Sequence, residues 1–254
     1  MENWIRVFIA TMFNLLFEYS MRGINDLFQR PFLPLFLFMV YFPYFAILEH
    51  CIEKYRMRDY HVLIAGFVFG ALAAFFIPGG MFNPPLLFGL NWASFFFITV
   101  VWWGTFQAVF TFYIARAIVQ SRRYATFLAQ PAPIILTGIL VCMLFLFRFA
   151  IKSAPQIPVI GAILIVFMAC AGLLTLHTTL PGKPVVFTRH KILDILAFAT
   201  IILFIFCALF LTDKKLLGIH YVNTTSVIVV VAWTLIVFGV LWLERIISKK
   251  EIPV

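Results

Sequence analysis

Residues 156–176 read QIPVIGAILIVFMACAGLLTL, a stretch without a single charged side chain. A helix needs about 20 apolar residues to cross the hydrocarbon core of a bilayer, and this stretch has that length and composition. Working outward from it, six more runs pass the same test. They cover about Pro31–Cys51, His61–Ile77, Asn91–Ala115, Pro133–Ile151, Lys191–Leu211 and Thr224–Ile247. Strands of a membrane barrel would be about 10 residues long and alternate in polarity. Phe95-Phe96-Phe97 and Val227 through Val231 do not alternate, so the runs read as helices.

Composition agrees with this reading. The chain of 254 residues is 64% hydrophobic and only 11% charged, against about 25% charged in soluble domains. That apolar excess has to face lipid, and the spans leave no room for a separate soluble domain. The fold expected is all-α, a polytopic bundle of seven or eight transmembrane helices forming one integral membrane domain over 1–254. Within it, 31–247 would be the seven-helix bundle and 248–254 a cytoplasmic tail.

The eighth helix is the open question. Residues 4–28 are apolar except for Thr11, Asn14, Glu18, Arg22 and Asn25, spaced three or four apart. That spacing draws one polar stripe along a helix, with Glu18 and Arg22 an i,i+4 pair. A narrow stripe favours a true span packed on the bundle, whereas Arg6 favours a helix lying in the interface. Met1-Glu2-Asn3 is not basic and no small-x-small cleavage site follows, so the segment is expected to be retained.

Loop charges set the orientation. One side carries Lys54, Arg56 and Arg58, then Arg116, Arg122 and Arg123, then Lys183, Arg189 and Lys191, then Arg245, Lys249 and Lys250. The other carries Arg22, Arg30, Lys152, Lys214 and Lys215, with Arg148 close enough to snorkel to it. The richer side should be cytoplasmic, which places the C-terminus inside and the membrane as plasma or inner membrane. The net charge of +9 then belongs to helix ends facing headgroups, and nucleic acid is not an expected partner. The expected partners are the lipid bilayer and other membrane subunits.

Known site patterns are absent. There is no Walker A loop, H-E-x-x-H, G-x-S-x-G or zinc-type Cys/His spacing. The last span has no lysine for a retinal Schiff base, and all five histidines lie at or beyond helix ends, which disfavours a buried bis-histidine haem. The four cysteines, Cys51, Cys142, Cys170 and Cys207, have no C-x-x-C spacing and read as small apolar residues. The uncharged loop from Pro78 to Leu90 reads as an interfacial connector, with Asn83 before Pro84 able to cap a short helix. Neither cofactor nor metal is specified.

Two constellations remain. At the cytoplasmic ends lie Glu49, His50 and Glu53, with His61, His177, His190, Asp194 and Glu244 on the same side. Glu49, Glu53, His50, His177 and Asp194 are the candidates for acid/base or metal chemistry on a lipid headgroup. Inside the spans Gln107, between Thr105 and Thr111, and Tyr41 and Tyr44, beside Pro43, are candidates for a substrate path. The leading expectation is a transporter-like or membrane-complex protein for a small neutral or lipid-like cargo. The alternative is a membrane-embedded enzyme acting on a lipid or isoprenoid at the cytoplasmic face.

Overall fold

The computed structural model describes residues 2–77, 80–119, 127–150, 156–180, 191–211 and 224–250. Among these residues the chain is all-helical. Its helices are α1 (Glu2–Arg22), α2 (Asn25–Gln29), α3 (Leu33–Tyr55), α4 (Asp59–Ala73), α5 (Trp92–Ile118), α6 (Ala132–Ala150), α7 (Val159–Thr179), α8 (Lys191–Phe210) and α9 (Thr224–Lys250). Each apolar run of the sequence becomes one helix, in which the backbone satisfies its own hydrogen bonds, as a segment in lipid would have to.

Four helices are long and apolar enough to cross a membrane: Leu33–Tyr55, Trp92–Ile118, Ala132–Phe149 and Val159–Thr179. Asp59–Ala73, Asp194–Phe210 and Thr225–Val237 are shorter apolar helices. The most apolar windows of α6 and α7 are only 11% and 17% buried. Side chains such as Phe149, Ile163 and Phe167 therefore face outward, as apolar helices do when their solvent is lipid.

The centre of the fold is the pair α4 and α5. Gly66 and Gly70 lie one turn apart on α4 and bring it against Trp103 and Gly104 of α5. A Cβ on Gly66 would stand 2.4 Å from the Trp103 carbonyl oxygen, and one on Gly70 would stand 2.8 Å from the Trp103 side chain. Small residues spaced in this way let helix backbones approach closely in a membrane. Between Phe97 and Phe110, α5 is wound as a π-helix. The Thr105 and Thr111 hydroxyls accordingly donate to carbonyls five residues back, at Val100 (2.8 Å) and Phe106 (2.6 Å). Of the helices next to each other in sequence, α4 and α5 pack together most extensively. The main later partners of α3 and α4, however, are α6 and α7.

Helix α1 packs against α3, α8 and the last turns of α5. Thr11, Asn14 and Glu18 are buried, whereas Asn25, the last member of the stripe read from sequence, is exposed. The stripe stops because the helix does. Gly23 takes the left-handed φ of +80°, and the next amide, Ile24, donates to the Ala208 carbonyl at the end of α8 (2.7 Å). Arg6 is fully buried, because α3 supplies carboxylates to receive it.

In the loop before α5 the capping residue is Asn91 rather than Asn83. Its Oδ1 accepts from the Ser94 amide (3.1 Å), and its Nδ2 donates to the Asn83 carbonyl (3.1 Å). Leu86, Leu87 and Phe88 are exposed at the tip.

Candidate functional site

Three helices contribute polar residues, spaced by one or two turns, to a common interior. Helix α1 gives Arg6, Asn14, Glu18 and Arg22. Helix α3 gives Tyr41, Glu49 and Glu53, and α5 gives Gln107, Thr111 and Arg116. Positions four apart share a helix face, so each set forms a column facing the other two.

One end of this interior is ionic. The Arg6 Nε donates to Glu49 Oε1 at 2.7 Å, and its Nη2 to Glu53 Oε1 at 3.3 Å. From α5, the Arg116 Nη2 donates to Glu53 Oε1 at 2.9 Å and reaches Glu49 Oε2 at 3.5 Å. The Glu49 side chain is 0% exposed, Glu53 2% and Arg6 1%. Two carboxylates and two guanidinium groups sum to no net charge, the condition under which such groups can be buried together.

The middle is neutral. Asn14 Nδ2 donates to Thr111 Oγ1 (2.8 Å), joining α1 to α5. Gln107 Nε2 donates to the Tyr41 hydroxyl (2.9 Å), joining α5 to α3. The Tyr41 hydroxyl in turn donates to Glu18 Oε1, and the Arg22 Nε donates to Glu18 Oε2 at 2.9 Å. A continuous chain thus runs Gln107, Tyr41, Glu18, Arg22. The amide oxygens of Asn14 and Gln107 are covered and have no hydrogen-bond partner among the described residues.

Glu18, Arg22 and Tyr41 form the polar part of a pocket between α1, α3, α4 and α5. Its empty volume is about 680 Å³, open mouth included. Leu37, Val40, Ile98, Trp102 and Trp103 make most of its apolar wall. Gly70 and Ala73 of α4, its C-cap Ala74, and Phe147 of α6 add to the lining. A concave, mostly apolar site with a few convergent polar groups is the general form of a small-molecule site.

The residues singled out from sequence fall into this frame unequally. Glu49 and Glu53 come together, each held by guanidinium groups. Gln107 and Tyr41 are hydrogen-bonded, and Tyr44 sits one turn away against Phe69 and Trp103 (ring centroids 4.3 and 5.4 Å). The Tyr44 hydroxyl is covered and unpartnered among the described residues. His50 accepts the Leu128 amide on Nδ1 (3.2 Å). His177 is exposed on α7, and Asp194 accepts from the Tyr113 hydroxyl at 3.3 Å. His61 is fully buried, with Nδ1 accepting from the Arg58 amide (3.0 Å) and Nε2 3.1 Å from the Thr179 hydroxyl. Among the described residues no group of three or more His, Cys, Asp or Glu could hold a metal ion. His190, Arg122, Arg123, Lys152, Lys183, Arg189, Lys214 and Lys215 lie outside the described residues, as does the side chain of Glu244.

Sequence reasoning recognised Glu18 and Arg22 as a stripe but not as a pocket. It also placed Arg6 and Arg116 among headgroup charges. The available signal was charge: two carboxylates one turn apart on an apolar helix call for cations, and Arg6 in the first turns of α1 and Arg116 in the last turn of α5 come together at one end of the interior.

Compared with protein-family models, with curated proteins and with solved structures, the chain matches none of them. The fold itself defines the class: among the described residues the chain is all-helical, with four helices fit by length and composition to cross a membrane.

Proposed function

We propose that this chain is a multi-pass membrane protein of the plasma or inner membrane that binds, and as a transporter-like or complex subunit passes on, a small neutral or lipid-like cargo. In this reading α3 to α9 supply seven spans and α1 an eighth, buried one. The Arg6–Glu49–Glu53–Arg116 end faces the cytoplasm with the C-terminus, following the excess of Lys and Arg on that side.

The observation that carries the reading is the pocket between α1, α3, α4 and α5, apolar except for Glu18, Arg22 and Tyr41. Such a lining suits a hydrocarbon body with one polar end. Catalysis at the cytoplasmic end draws less support, since Glu49 and Glu53 already satisfy two guanidinium groups and His50 is engaged by a backbone amide.

The test is co-purification. Organic extracts of the protein purified in mild detergent are compared by mass spectrometry with extracts of Ile98→Trp, which fills the pocket. A species enriched with the wild type and lost with a monodisperse Ile98→Trp protein supports the reading. Identical extracts from both would overturn it.

A further inference from the structure

We infer that the pocket selects an uncharged amphiphile whose single hydrogen-bond-accepting end, a hydroxyl or a carbonyl, is seated on the Arg22 guanidinium beside Glu18. The inference rests on the pocket being a binding site and names the chemistry of what it takes.

The charge balance at the polar end carries the point. Glu18 and Arg22 contribute one charge of each sign, 2.9 Å apart. Among the described residues the flanking α2 adds one charge of each sign, Asp26 and Arg30, which are paired with each other. Both Glu18 oxygens are engaged, one by Tyr41 and one by Arg22. The Tyr41 hydroxyl already donates to Glu18 and accepts from Gln107. Donor capacity remains on Arg22, whose Nε is used while its terminal nitrogens make no hydrogen bond among the described residues.

A neutral acceptor completes this set without disturbing it. A carboxylate would gain Arg22 but lie against Glu18, and an ammonium would gain Glu18 but lie against Arg22. Either would bring a net charge into a wall made of Leu37, Val40, Ile98 and Trp102, where an unpaired charge is costly. The hydrocarbon part then lies along Trp102 and Trp103, between Val40 and Ala74.

Three photoreactive probes with the same diazirine-bearing ten-carbon chain, ending in a hydroxyl, a carboxylate or a trimethylammonium group, test this on the full chain in nanodiscs. Labelling is mapped by mass spectrometry as the ratio of pocket positions (Leu37, Ile98, Trp102) to the outward-facing Ile163 and Phe167. The lipid-facing positions correct for partition of each probe into the bilayer. Pocket labelling by the alcohol, competed by excess decanol, should exceed that by either charged probe by at least about tenfold, a lower bound for the cost of one uncompensated charge. Glu18→Gln, which leaves Arg22 unneutralised, should turn the preference to the carboxylate probe. Arg22→Gln should turn it to the ammonium probe.

Equal or better pocket labelling by a charged probe in the wild type would overturn the head-group assignment and leave the pocket standing as a site. So would an unchanged preference in a folded Glu18→Gln protein. Absence of competable pocket labelling with all three probes would overturn both. The wild-type series decides alone where a variant does not fold.

Discussion

Replacing Arg6 with methionine keeps most of the side chain's bulk but removes one of two cations from a buried cluster of four. At an effective dielectric constant of 20, the 2.7 Å contact with Glu49 represents roughly 6 kcal/mol of gross attraction and the 3.3 Å contact with Glu53 roughly 5 kcal/mol. Desolvation of Arg6 and its repulsion from Arg116 return much of this, so the loss expected for breaking a buried pair is about 3–5 kcal/mol. The two carboxylates are not left alike. Glu53 keeps Arg116 at 2.9 Å, whereas Glu49 keeps it only at 3.5 Å. Glu49→Gln should therefore rescue Arg6→Met better than Glu53→Gln does, and the Arg6/Glu49 coupling in a double-mutant cycle should exceed about 1 kcal/mol. Titration of the detergent-solubilised protein with SDS, followed by tryptophan fluorescence, measures each term. Additive effects of Arg6→Met and Glu49→Gln, or a stronger rescue by Glu53→Gln, would refute the charge accounting.

Packing gives a paired prediction in the same assay. Gly66→Ala should cost about 1–3 kcal/mol, because its Cβ meets backbone at 2.4 Å. Gly138→Ala, with nothing within 4 Å, should be neutral or gain up to about 1 kcal/mol from helix propensity. Asn14→Leu removes the α1–α5 hydrogen bond to Thr111 and should cost about 0.6–2 kcal/mol, lowering stability rather than raising it despite the gain in hydrophobicity. Orientation is tested on a cysteine-free background. An impermeant thiol reagent applied to sealed cells should label Leu86→Cys and spare Lys250→Cys, and the reverse pattern would invert the proposed topology.

Much of this molecule could be read from its sequence, for a physical reason. In lipid, apolar length and backbone self-satisfaction leave almost no choice but a helix, so the runs around Gly161, Gln107 and Thr200 each become one. The stripe Thr11–Asn14–Glu18 was legible for the same reason: polar side chains at helical spacing on an otherwise apolar segment have to face one another's kind. The pairing of Glu49 with Glu53 followed from their spacing alone.

Tertiary structure decided the partners. Periodicity states which face of a helix is polar but not which other face it meets, and Arg6 and Glu49 lie too far apart in the chain for local spacing to connect them. The Gly66–Gly70 step shows the same limit. Its spacing was visible, but the close approach to Trp103 and Gly104 depends on which helix lies opposite. The pocket is the clearest case. Glu18, Tyr41, Gly70, Trp102 and Phe147 come from five helices, and the space between them exists only because those helices pack at particular distances. Sequence by itself determined that this chain is helical and apolar enough for a membrane, since that depends on composition along a line. Where the polar interior closes and where it leaves a cavity was decided by packing in three dimensions, which no local pattern encodes.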